Sequence, residues 1–367
     1  MKANATPASL GYRMPAEWSQ HRSTWLSWPH NRKDWEGKLA AIHWAFVEMV
    51  RHLVPGERVS ILVENGTQRA RVERMLSYAM VDLGQVDFYE IPTNRSWIRD
   101  YGPVFLGTVQ GTSAVQSRVI TDWQFNAWAR YTNWQKDDKV PGTIAEQLKL
   151  ERVEPTWPTP DGDRRIVLEG GSIDVNGEGL LLTTEECHLD RVQARNPGLS
   201  RDDLETVFQS YLGIEKVVWL GGGIDGDDTH GHIDDIARFV GPRTVVAALE
   251  EDRSDVNYAP LRENLGRLRD ETDQDGSALE VVTLPMPRPL YFDGDRLPAS
   301  YLNFYIANEV VLVPTFNDPA DRVALGILAD LFTDREIVGI HAVDLVLGQG
   351  SLHCLTQQEP ADVTQMA

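Results

Sequence analysis

Apolar and polar positions along the chain repeat as a unit. A helical stretch is followed by a short β-branched strand, then a polar loop, then a two-strand hairpin pattern. The strands that end helical stretches include residues 58–63 (RVSILV), 216–220 (KVVWL), 279–284 (LEVVTL) and 336–341 (EIVGIH). Hairpins are predicted over residues 171–183 with Asn176-Gly177 at the turn, 232–247 with Gly241-Pro242, 301–314 with Ala307-Asn308, and 102–115. The three best-defined turns are about 60–70 residues apart, a period that suggests an architecture of repeats. Residues 252–277 are charged, but Leu261, Leu265 and Leu268 recur at helical spacing and predict an amphipathic helix. Residues 154–165 (EPTWPTPDGDRR) hold three prolines and read as a loop.

The repeat places reactive side chains at equivalent points. Asp100 enters the first hairpin, Glu169 the second, His232 and Asp234 the third, Asn303 the fourth, and Cys354 lies in the last unit. If the units circle an axis, these distant residues meet at one end of it. In a strand, residues two apart share a face. His232 and Asp234 are therefore expected to face one ligand, with Asp235 pointing away.

Composition narrows the chemistry. Of 367 residues, 42% are hydrophobic and 25% charged, as in an ordinary globular chain. Lys plus Arg number 35 against 55 Asp plus Glu, a formal charge of −20. Such a surface is a poor partner for nucleic acid or anionic membrane and attracts small cations. No apolar run reaches the ~18–20 residues of a spanning helix. Residues 1–15 lack the apolar stretch of a secretory signal. Two cysteines, Cys187 and Cys354, are too few for a disulfide framework, so a reduced, cytoplasmic setting is expected. Nine of the eleven Trp precede residue 135, and Cys187 reads as a structural thiol.

Cys354 follows Gly348 and Gly350 among small and polar neighbours, which fits a nucleophilic thiolate; a lone Cys is by default a small buried hydrophobe. The segment 225–235 (DGDDTHGHIDD) admits a divalent-metal site, a catalytic His with a carboxylate two residues on, or a solvated acidic loop. Carboxylates around a Cys–His pair would raise a thiol's pKa. They make sense if the substrate is a cation, and a guanidinium pairs bidentately with carboxylates.

The blocks at residues 14–29 (MPAEWSQHRSTWLSWP), 97–103 (WIRDYGP), 168–172 (LEGGS), 231–234 (GHID) with 237–239 (ARF), and 350–358 (GSLHCLTQQ) resemble the agmatine deiminase and bacterial peptidylarginine deiminase family. The resemblance implies a single deiminase domain, residues 1–367, of five ββαβ-like repeats. Its fold would be the five-bladed, pseudo-symmetric α/β propeller of the guanidine-modifying, pentein superfamily. It implies Cys354 as nucleophile, His232 as general acid/base and Asp100 and Asp234 as guanidinium-holding carboxylates. Glu169 would support substrate binding, and Trp97 and Trp123 would line the site. The implied reaction converts agmatine to N-carbamoylputrescine and ammonia, a step of polyamine synthesis. The implied partner is a small guanidinium cation; no cofactor or metal is expected, and homo-oligomers are common in the superfamily. Free or peptidyl arginine is the alternative substrate. A metal-dependent hydrolase built on Asp227, Asp228, His230 and His232, or a non-catalytic scaffold, are the other classes. The chain departs from the family pattern at Gln349, where glycine is usual, and at His230, where Asp or Asn is frequent.

Overall fold

The computed structural model describes residues 5–109 and 115–362. The local rules work well where the pattern is strong. Strands Arg58–Val63, Lys216–Leu220 and Glu336–His341 form as expected, and the strand expected at 279–284 forms as Glu280–Pro285. The helix expected within 252–277 is Tyr258–Asp270, with Leu261, Leu265 and Leu268 buried along one stripe. Helix Arg201–Leu212 starts on a Ser200/Asp203 capping box, and Pro319–Leu331 on an Asp318/Asp321 box with proline in its first turn.

Five small sheets share one plan. In each, an antiparallel pair is extended by a parallel strand that a helix delivers. Asp174–Val175 and Leu180–Thr184 are joined by Lys216–Leu220, and Ala237–Phe239 and Thr244–Leu249 by Glu280–Pro285. Tyr305–Ile306 and Val310–Thr315 are joined by Glu336–His341. Val104–Val109 and Val115–Thr121 are joined by Glu151–Val153, with Tyr12–Arg13 on the outer edge. The fifth sheet is made from both ends of the chain. Thr356–Pro360 lies antiparallel to His21–Ser27, which continues in parallel to Arg58–Val63 and Val86–Glu90. The turn expected within residues 102–115 falls at 110–114, outside the described residues.

Two expectations are corrected. Residues 154–165 contain a hairpin, Thr156–Thr159 paired with Gly162–Arg165. Its prolines are tolerated because a two-stranded ribbon is all edge, where a missing N–H costs no ladder bond. The segment after His232 is not a strand: Ile233–Asp235 is a single 3₁₀ turn. The period-2 argument therefore does not apply, and Asp235 turns inward, fully buried, to accept from Asn303.

Glu17, from the first sequence block, ties the sheets together from below the site. Its carboxylate meets Arg238 Nη2 at 2.8 Å, His353 Nε2 at 2.8 Å and Arg99 Nη2 at 3.3 Å, and accepts the Ile306 N–H at 2.8 Å. Burial pushes its pKa up, but Arg238, His353 and Arg99 outweigh burial and hold it well below the usual carboxylate range. Removing one member of a buried ionic network strands the rest without compensation. Glu17→Ala is expected to cost about 3–5 kcal/mol in urea-induced unfolding; a loss under ~1 kcal/mol would show the network to be incidental. Among the described residues, no helix is long and apolar enough to cross a membrane.

Candidate active site

Cys354 lies in the turn before strand Thr356–Pro360 and is 5% exposed. Arg99, beside Asp100 in the short helix Ile98–Tyr101, fixes this turn. Its N–H donates to the Cys354 carbonyl at 3.2 Å, and its Nε to the His353 carbonyl at 3.3 Å. Asn303 holds the turn from the other side. Its Oδ1 accepts from Ser351 Oγ (2.9 Å) and the His353 N–H (3.0 Å), while its Nδ2 donates to Cys354 Sγ at 3.1 Å.

Two acids and an imidazole gather at the sulfur, with a third acid behind the imidazole. Asp234 Oδ2 lies 3.5 Å from Cys354 Sγ and 2.7 Å from His353 Nδ1. Asp100 accepts from the Trp128 indole at 2.8 Å and from the Gly171 N–H at 3.0 Å. His232 Nδ1 is 3.8 Å from Asp100 Oδ1, and its Nε2 is 3.8 Å from Glu169 Oε2. Glu169 is fully buried and receives Arg195 Nε at 3.1 and 3.3 Å. The second glycine of LEGGS makes this crowding possible. A Cβ on Gly171 would stand 2.6 Å from His232 Nδ1, 2.8 Å from Asp100 Oδ1 and 3.1 Å from Asp234 Oδ2. Only glycine lets the three groups approach one point.

The electrostatics follow from burial and mutual charge. Burial, with Asp234 and Glu169 nearby, pushes Asp100 up to about 6 against the opposing pull of His232. Burial also raises Glu169, but Arg195 and His232 outweigh it and hold it at about 2. His232 is disfavoured as a cation by burial, yet Asp100 and its other neighbours raise it well above the ordinary imidazole value. Burial and the charges of Asp234, Asp235 and Asp100 push the Cys354 thiol up, against the hydrogen bond from Asn303. Several polar atoms of this cluster are buried with no hydrogen-bond partner: both ring nitrogens of His232 and Asp234 Oδ1. Buried polar groups are normally satisfied, so such a gathering marks a place where something else binds.

A narrow cavity of about 10 Å³, partly open to solvent, reaches the cluster at Asp100 and Cys354. Arg95, Trp97, Trp128, Asp228, Thr229, Gly348 and Gln349 complete its lining. Two larger clefts, one around Tyr12 and Gly213 and one around His21 and Gly56, contain none of the expected site residues. They hold neither nucleophile nor carboxylate cluster, so the smaller cavity is the one with chemistry.

Of the residues singled out from sequence, Cys354, His232, Asp234, Asp100 and Glu169 come together, and Trp97 lines the cavity. Trp123 does not. Its indole donates to Thr121 Oγ1 at 3.0 Å, and it packs in a separate apolar cluster with Leu168 and Phe208. Trp128 takes the aromatic place beside Asp100. Glu169 faces His232 and Arg195, not the cavity. The four-residue metal set also disperses. Asp227 caps the turn at Thr229 and Gly231, Asp228 accepts from Tyr131 at 2.6 Å, and His230 faces Glu186 and Asp190. Gln349 adopts φ +75°, a left-handed conformation costing a non-glycine residue ~1–2 kcal/mol. That explains why glycine is usual there.

The chain is similar to known proteins along nearly its whole length. A Pseudomonas putida agmatine deiminase is 36% identical over 385 residues, covering 98% of each chain. The structure of an Enterococcus faecalis agmatine deiminase superposes with a TM-score of 0.86 at 33% identity, over 98% of this chain and 99% of that one. A C. jejuni agmatine deiminase with a Cys-to-Ser substitution and bound substrate superposes at 0.81 with 29% identity, over 95% and 96%. The fold is thus the mixed α/β fold of these enzymes. The profile of the Porphyromonas-type peptidyl-arginine deiminases matches residues 13–360, and the chain belongs to that family.

Proposed function

We propose that this protein is an agmatine deiminase that works through a covalent Cys354 intermediate. One observation carries the reading: a thiol, an imidazole with two unpartnered nitrogens and a carboxylate with an unpartnered oxygen converge, buried, where a cavity ends. In this scheme the guanidinium docks against Asp100 and Asp234, whose charges it neutralises, and the Cys354 thiol yields its proton to solvent. The thiolate attacks the guanidinium carbon to give a tetrahedral intermediate. Protonated His232 donates to the departing nitrogen, and ammonia leaves. An S-alkylthiouronium adduct remains. Neutral His232 then takes a proton from water as the oxygen attacks the same carbon, and collapse expels Cys354, leaving a ureido group. One imidazole serves as acid and then base, and covalent capture divides one hard step into two. Glu169 acts by orienting His232.

Agmatine is preferred over arginine because the lining offers Asp228, a carboxylate outside the Cys354 cluster, for the ammonium end. The small cavity and buried thiol disfavour a peptide. Arg95 in the lining favours the second reading, free arginine, since it could pair with a carboxylate. A ureido-product assay with agmatine, arginine and a blocked arginyl peptide in parallel decides between them. Agmatine is expected to have the highest kcat/KM, with Asp228→Asn raising its KM. A higher kcat/KM for arginine or the peptide would overturn the assignment.

The pH dependence follows from Asp100. Its raised pKa means that the cation-holding carboxylate is lost already as pH falls through about 6. The kcat/KM for agmatine, which reports free-enzyme groups, should therefore have an acid limb near 6. Asp100→Asn should lower kcat/KM and abolish that limb; an unchanged limb would assign it to another group.

The same reading extends to the architecture. The five sheets would be blades of a pseudo-symmetric α/β propeller, and residues 1–367 one deiminase domain. The repeated sheet plan and the sheet built from both chain ends support this. A cytoplasmic setting suits a small metabolite substrate.

A further inference from the structure

Behind His232, away from Cys354, lies the second cysteine of the chain. Glu169, Cys187 and His232 are all buried, and a carboxylate oxygen, the Cys187 sulfur and an imidazole nitrogen lie within 4.8 Å of one another. Among the described residues this is the group whose donors could hold a metal ion. Zinc takes sulfur at about 2.3 Å and nitrogen or oxygen at about 2.0–2.2 Å, so tetrahedral ligand atoms lie roughly 3.3–3.6 Å apart. The 3.8 Å separation of His232 Nε2 and Glu169 Oε2 is close to that. The second observation is independent of the cysteine: both ring nitrogens of His232 lack a partner.

The three donors are held in place by two connectors to one short segment. Thr184 Oγ1 accepts the Cys187 N–H at 3.1 Å and donates to the Gly231 carbonyl at 2.6 Å, which ties the cysteine turn to the residue before His232. Arg195 orients Glu169 and also donates to the Thr229 carbonyl. The carboxylate keeps lone pairs free beside that guanidinium. Such anchoring of ligands by their neighbours is what metal sites require.

We propose that Glu169, Cys187 and His232 form a binding site for a thiophilic divalent cation of the zinc class, which silences the enzyme by occupying the imidazole. No bond to Cys354 is involved. The cation is an inhibitor of the reaction proposed above and takes no part in it.

The test uses cobalt(II), whose bond to a thiolate gives a near-ultraviolet charge-transfer band. In Cys354→Ser the only remaining thiol is Cys187. Titration of this folded variant with cobalt(II) is expected to develop the band. Glu169→Gln and His232→Gln, each in that background, should weaken binding at least ~10-fold while keeping the sulfur. This covers the case in which Cys187→Ala does not fold. Absence of the band in Cys354→Ser, or unchanged affinity in both ligand variants, would overturn the site. This arm needs no turnover, so its failure is separate from failure of the deiminase reading. With wild-type enzyme, zinc should inhibit reversibly on chelation. Inhibition should require at least ~10-fold more zinc in Cys187→Ala, each variant being compared with its own metal-free rate. Equal sensitivity would place the inhibitory metal elsewhere.

Discussion

Replacing Cys354 with serine is expected to reduce agmatine turnover by at least ~10⁴-fold, the scale seen when a nucleophile is removed from a covalent mechanism. The variant should fold normally. Serine is smaller, and the turn is held mainly through its backbone by Arg99 and Asn303. It should also still bind substrate, because Asp100 and Asp234, which carry the cation, are untouched. Calorimetry should thus show agmatine binding without product, and the fall should be in kcat. Residual activity within about tenfold of wild type would leave the sulfur without a chemical role.

The second large effect is expected at His232. Its ring lies between Asp100 and Glu169 at 3.8 Å to each, and both acids raise its pKa. It therefore enters the cycle protonated, as the donor to the leaving nitrogen requires. General acid–base help is worth ~10²–10⁴-fold, and His232→Gln should lose at least that in kcat. The alanine variant is less informative, since it leaves two buried carboxylates facing an empty space and costs stability as well. Exogenous imidazole should restore part of the rate if the lost function is proton transfer. A variant with near-normal kcat and only a raised KM would make His232 a binding residue.

Much of this site was legible in the sequence because its blocks combine local rules with unusual chemistry. The β-branched runs at 58–63, 216–220 and 336–341 form strands that pair in parallel with their neighbours, and such strands announce themselves by continuous apolar residues. The equivalent placement of Asp100, Glu169, His232, Asp234 and Cys354 in successive units foretold their convergence. What escaped was set by contacts between distant segments. Glu17 looked like one acid among many, yet it is the hub beneath His353 and Arg99. Trp128, not Trp123, reaches Asp100 with its indole, and nothing local to residue 128 records that. Cys187 read as a structural thiol, and its place beside Glu169 and His232 could not be seen across the 45 residues that separate it from the latter. Asp235 was turned outward by a strand rule, where the chain makes a 3₁₀ turn.

The reaction is taken to pass through a bond between Cys354 and the carbon of a guanidinium. Quenching wild-type enzyme in acid during turnover of agmatine, followed by intact-mass and peptide analysis, tests this most directly. The account predicts an adduct of agmatine less one ammonia on the peptide that contains Cys354, appearing before the ureido product. Ureido product formed while Cys354 stays unmodified at every quench time, or an adduct that maps to Cys187, would contradict it.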